Sequence, residues 1–145
     1  MKPYLSLCLI CGDAHVKLLP RVLKSFLSRS RGKPAVDEIV LGWNGTDDQA
    51  LSISIGEMLA ESSSYQWPNT KPGSSVRTTL THGVPLIIHR QEWKNDFAAA
   101  RQENFEHASG EWRMYADVDD VFAEPGHPQA AQAFKEERER TRDDD

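Results

Sequence analysis

A chain of 145 residues, 39% hydrophobic and 27% charged, has the length and composition of one folded domain with a real core. Its formal net charge of -5 at pH 7 argues against broad nucleic-acid binding, which calls for a basic face. No apolar run approaches the ~20 residues of a membrane span, and the short apolar N-terminus lacks a small-residue cleavage site, so no transmembrane segment and a cytoplasmic location are expected.

Residues 4–11 form a near-continuous apolar run, the pattern of a strand covered on both faces. Both cysteines, Cys8 and Cys11, lie in it. Three apart on a strand, they face opposite sides and suit neither a bridge nor a shared metal; they read as buried small hydrophobes, and reduced thiols fit the cytoplasm. Gly12 and Asp13 break the strand. Val16, Leu18, Leu19, Val22, Leu23, Phe26 and Leu27 then recur at helical spacing. Pro20 sits in the tolerant first turns, and residues 28–34 end the helix. Residues 38–43 predict a second strand, closed by the turn pair Asn44-Gly45. A helix through Ile53, Ile55, Met58 and Leu59 follows. Residues 62–83, rich in Ser, Thr, Pro and Gly, predict a long irregular connection. Residues 85–89 predict a third strand. Residues 96–107 predict a helix capped by Asn95 or Asp96 and terminated by Gly110. A fourth strand is expected over 112–116, and a polar, charged helix over 129–142.

Strands alternating with helices predict an α/β fold with a mainly parallel sheet. No internal repeat and neither common phosphate loop is present. No His-x-x-x-His pair or Cys/His cluster occurs among His15, His82, His89, His107 and His127, which argues against zinc. The fourth strand runs directly into Asp117-Val118-Asp119-Asp120. Asp117 and Asp119, two apart, point to one side of a continuing strand. Two carboxylate ligands suit Mg²⁺ or Mn²⁺, completed by substrate phosphates. A solvated turn or helix cap accounts for the same residues without a metal.

The order of these pieces resembles family 2 glycosyltransferases of the GT-A fold. The first strand is similar to theirs, as is residues 37–41 followed by Asn44-Gly45-Thr46-Asp47-Asp48. Residues 93–112 resemble the stretch those enzymes place before their Asp-x-Asp motif: an aromatic, Asp-Phe, small residues, an Arg, then Gly-Glu-Trp. The resemblance covers residues 1–122 as the nucleotide-sugar-binding half of a GT-A domain, a three-layer sandwich expected to be incomplete here, with 123–145 as a charged helix or tail. It implies a nucleoside-diphosphate sugar as partner, a UDP-sugar foremost, Mn²⁺ or Mg²⁺ as cofactor, and inverting transfer to an acceptor hydroxyl. By position, Gly12 and Asp13 would face the nucleotide, and Asp48 would lie near the base or ribose. Asp96 would hydrogen-bond the base, and Arg101 would lie by the diphosphate or order its helix. Asp117 would meet the nucleotide, with Asp117 and Asp119 holding the metal, Asp119 foremost.

The chain departs from the family at Trp43, where an Asp is usual, at Gln102, where Asn is usual, and at Gly12 and Asp13. Trp43 would either stack on a base or cap the sheet as an apolar residue. The catalytic base is expected outside this chain, since the acids of residues 124–139 sit in a surface-like charge run. Two other readings remain: a nucleotide-binding or interaction module of this fold without turnover, and a haloacid-dehalogenase-like phosphatase with Asp117 as nucleophile in Asp117-Val118-Asp119-Asp120-Val121.

Overall fold

The computed structural model describes residues 4–27, 29–30, 33–61, 63–67 and 71–118. Seven strands and three α-helices are built from them. The parallel strands are β1 (Leu5–Cys11), β4 (Glu38–Trp43), β6 (Pro85–Arg90) and β7 (Trp112–Tyr115). β5 (Ser75–Thr79) joins antiparallel at the edge, giving the order β5-β6-β4-β1-β7. β2 (Arg29–Ser30) and β3 (Lys33–Pro34) form a separate small ribbon.

The apolar runs become strands because both sheet faces are covered, and every residue of β1 and β4 is buried. The period-2 alternation sorts them cleanly. Leu5, Leu7, Leu9 and Cys11 of β1 join Ile39, Leu41 and Trp43 of β4 in the main core. That core packs on α1 (Leu19–Leu27) through Leu19, Val22, Leu23 and Phe26, and on α2 (Asp48–Gly56) through Leu51 and Ile55. Cys8 and Val40 face the other way, toward Phe105 of α3 (Phe97–Glu106) and Ala108 just beyond it. Helices therefore cover both faces of a five-stranded, mainly parallel α/β sheet, an arrangement compatible with a three-layer sandwich. Cys8 and Cys11 lie on opposite faces, both free. Burial pushes each thiol pKa up to about 12, so both are inert apolar filler.

Four sequence expectations change. The first helix opens as a 3-10 segment, Asp13–Leu18, before α1, with Pro20 in the first turn of α1 where its missing N–H costs nothing. α2 ends at Gly56; Met58 and Leu59 pack from the turn beyond it, and Ile53 is exposed. The region 62–83 is not irregular throughout, since it contains β5. That strand alternates outward Ser75, Arg77 and Thr79 with inward Val76 and Thr78, a polar edge strand with too few apolar residues to stand out. α3 keeps its expected span, with Asp96 of the two candidate caps accepting from Ala99 N at 3.1 Å and His107 as the C-cap, but Gly110 is not its terminator. Gly110 serves a different end: its N–H donates to Ser6 Oγ, so close to β1 that a Cβ would strike Ser6.

The helix expected over 129–142, the rest of the 123–145 tail, and Asp119 and Asp120 all lie outside the described residues. Among the described residues, no helix is long and apolar enough to cross a membrane.

Candidate functional site

The chain runs outward from β1 to β4 to β6, then returns to place β7 on the opposite side of β1. Between β1 and β7 the strand order therefore reverses, and ligands of open α/β sheets bind outside the carboxyl ends of strands at such a point. Two adjoining cavities lie there. One, of about 270 Å³, is lined by Gly12, Asp13, Asn44, Trp93 and their neighbours. The other, of about 210 Å³, is lined by Tyr115, Asp117 and Val118. Ile10, His15 and Phe97 belong to both, so the two form one groove along the strand ends.

Asp117 enters this groove because β7 ends at Tyr115 and the chain leaves the sheet there. The Tyr115 hydroxyl donates to Asp117 Oδ1 at 2.6 Å. The Arg101 guanidinium lies 4.1 Å from the Tyr115 ring centroid, a cation–π contact. Burial raises the Tyr115 pKa, and the bond to Asp117 raises it further, so the phenol stays a donor. A Mg²⁺ or Mn²⁺ site needs only one or two protein carboxylates when substrate phosphates complete the shell. Asp117 offers one such carboxylate on a groove wall, with its orientation held. Among the described residues no group of three or more His, Cys, Asp or Glu comes together as an all-protein cage. One described carboxylate would suffice only for an open site whose remaining ligands come from a bound molecule.

The other expected residues are distributed unevenly. Gly12 and Asp13 line the groove, but the Asp13 carboxylate is already engaged. It accepts from Thr46 N, Thr46 Oγ1 and Asp47 N at 2.8–3.0 Å, tying the end of β1 to the loop before α2. The backbone hydrogen bond from Asp47, then those from Thr46, lower its pKa. Gly45 makes this approach possible, because a Cβ there would lie 2.6 Å from Asp13 Oδ1 and against the Trp43 ring.

Trp43 and Asp48 stand apart from the groove. Trp43 is 0% exposed and part of the core, so its ring has no face to offer a base; the apolar cap is what the structure holds. Its indole N–H donates to Asp48 Oδ1 at 2.9 Å. Asp48 also forms a two-pronged ion pair with Arg90, whose guanidinium lies 4.4 Å from the Trp67 ring centroid. Asp48 therefore links α2 to the end of β6 rather than facing a ribose. Asp96 caps α3, and Arg101, although exposed, is drawn onto Tyr115.

Sequence reasoning missed His15, Asn44, Phe97 and Tyr115 as groove residues, and used Trp93 only as a motif landmark. The aromatics Trp93 and Phe97 were the findable signal, one just before a strong helix and one in its first turn. It also missed Asn104. Fully buried, its Nδ2 donates to the Leu9 carbonyl at 3.0 Å, and its Oδ1 accepts from His89 Nε2 at 2.5 Å. This pins α3 onto the sheet.

Compared with protein-family models and with curated proteins, the chain matches none.

Proposed function

We propose that this domain binds a nucleoside-diphosphate sugar, a UDP-sugar foremost, through Mn²⁺ or Mg²⁺ held by Asp117 together with Asp119, as the donor-binding part of a GT-A type glycosyltransferase. The observation that carries the reading is the groove at the strand-order reversal with Asp117 in its wall. Its electrostatics support the same reading. Among the described residues, the lining includes Asp13 and Asp117 but no Lys or Arg. A diphosphate entering such a groove needs a cation between it and Asp117.

In that role Asp117 holds the cation, Tyr115 fixes the carboxylate, and Arg101 stands one ring away from the anionic end of the ligand. The bound cation supplies Lewis-acid neutralisation of the charge that develops on the departing diphosphate. The sugar then passes to an acceptor hydroxyl by in-line attack with inversion, the proton being taken by a base that these residues do not provide.

The test is calorimetry with UDP in the presence and absence of Mn²⁺, followed by assay for loss of a nucleotide sugar. Mn²⁺-dependent UDP binding that Asp117→Asn removes is the expected result, and equal binding by that variant would sink the assignment. Binding without turnover would select the non-catalytic nucleotide-binding module instead.

A further inference from the structure

Three large apolar side chains stand exposed among the described residues: Ile53, Trp93 and Phe97. Trp93 and Phe97 are together, their rings meeting edge to face with centroids 4.9 Å apart at 72°. Both line the groove. Exposed apolar surface gathered at a cavity mouth marks a ligand-binding surface. The pair is also held in place. The Trp93 indole N–H donates to Asn95 Oδ1 at 3.0 Å, and Asn95 takes a left-handed φ of 56° that turns the chain into the first turn of α3.

Among the described residues, no other Trp, Tyr or Phe is exposed. Trp43 is buried, and the Tyr115 ring is covered by Arg101. Along the groove, Trp93 stands at the end lined by Asn44 and Gly12, Asp117 at the other, and Phe97 borders both cavities. Apolar rings at one end and a carboxylate at the other match a ligand that is a planar heterocycle at one end and a metal-binding anion at the other.

We infer that Trp93 and Phe97 form the platform on which the nucleobase stacks, with the base at the Asn44 end and the diphosphate at the Asp117 end. This rests on the proposed donor-binding function and adds the direction in which the ligand lies. The Asn44 amide, packed against Gly12 in the same cavity wall, supplies a donor and an acceptor for the edge of the base. The assignments to Trp43 and Asp48 are replaced, since both are engaged elsewhere.

Three probes separate the ends of the groove: UDP with Mn²⁺, uridine alone, and pyrophosphate with Mn²⁺, titrated against the full chain by calorimetry and ligand-observed NMR. Trp93→Leu and Phe97→Leu should each weaken UDP and uridine about tenfold, the scale of one lost base–aromatic stack, and leave pyrophosphate unchanged. Trp93→Phe should retain most of the affinity. Asp117→Asn should do the reverse, losing Mn²⁺-pyrophosphate and keeping uridine. Thermal melting confirms that each variant folds, as expected for exposed positions. Unchanged UDP and uridine affinity in both ring variants overturns the platform, and so does an equal loss of pyrophosphate. If Asp117→Asn changes nothing while the ring variants lose uridine, the platform stands and the metal assignment falls. An unsubstituted chain that binds none of the probes overturns both.

Discussion

The Tyr115 hydroxyl commits one oxygen of Asp117 to a 2.6 Å hydrogen bond, which fixes the carboxylate before any ligand arrives. Tyr115→Phe removes that donor and keeps the ring beneath Arg101. A hydrogen bond to a charged group contributes roughly 1.5–3 kcal/mol, and a half-buried site belongs at the low end. The expected outcome is a Mn²⁺-dependent UDP affinity weakened about tenfold, with uridine binding little changed and the melting temperature lowered by roughly a few degrees. Calorimetry on the variant checks it, and unaltered Mn²⁺-UDP affinity would mean that Asp117 needs no such support. Gly45 makes a different demand, set by space. In Gly45→Ala the new methyl meets the Trp43 ring and the Asp13 carboxylate, and overpacking of this kind costs about 1–3 kcal/mol. A lower urea midpoint with an unchanged slope is expected; an unshifted midpoint would show that the loop gives way. Neither constraint could be read from the chain. Asp117 stood out because three acids follow an apolar run, whereas the partners of Asp13, Trp43 and Asp48 are set by tertiary contacts. Arg90 meets Asp48 from 42 residues away, and no local pattern announces that.

Elements were legible in proportion to their apolar content. β1, β4, β6 and β7 are near-continuous hydrophobic runs, and α1 carries a full apolar stripe. β5 has a polar outward face, so nothing marks it except its pairing with β6. α3 is the instructive case, because polar anchors hold its inner face as well as apolar ones. Only Ala100 and Asn104 of α3 are buried. Asn104 grips β1 and His89, and the His89 ring stacks on His107 at 4.0 Å and 14°. Burial lowers the His89 pKa from 6.5 to about 4; the bond to Asn104 opposes this and neighbouring His107 adds to it. Because the folded value lies below the unfolded one, neutral His89 supports the fold fully above pH 6.5. That support is lost progressively as the pH falls from 6.5 toward 4. Linkage puts the loss at roughly 3 kcal/mol. Urea unfolding across this window should therefore show stability falling with acidity. His89→Gln keeps a donor for Asn104 but has nothing to titrate, so it should flatten the slope whatever its absolute stability. An unchanged slope in that variant would place the acid sensitivity elsewhere.

At the scale of the whole molecule, the topology gathers the loops after β1, β4, β6 and β7 at one edge, and the groove opens where the strand order turns back. That edge was foreseeable from the alternation of strands and helices, since parallel strands put all their carboxyl ends on one side. The contents of the groove were not, because they depend on which side chains remain after the core and the loop ties have taken theirs. What remains includes aromatic rings and two carboxylates, beside His15 and Asn44. The chain as a whole carries a net charge of -5, and among the described residues the groove lining contributes Asp13 and Asp117 with no Lys or Arg to offset them. An unaccompanied diphosphate is thus repelled both at long range and on contact. Arg101, beside the Asp117 end, is engaged with the Tyr115 ring. The affinity of the groove for UDP should accordingly depend on a divalent ion. Removal of the ion by EDTA should weaken UDP binding at least tenfold and bring it close to the affinity of uridine alone, because only the aromatic end would still contribute. Raising the ionic strength without metal should then recover part of the loss, as screening removes repulsion. If UDP binds equally well with and without the chelator, the acidic groove holds its ligand by some other means, and Asp117 is not a metal ligand.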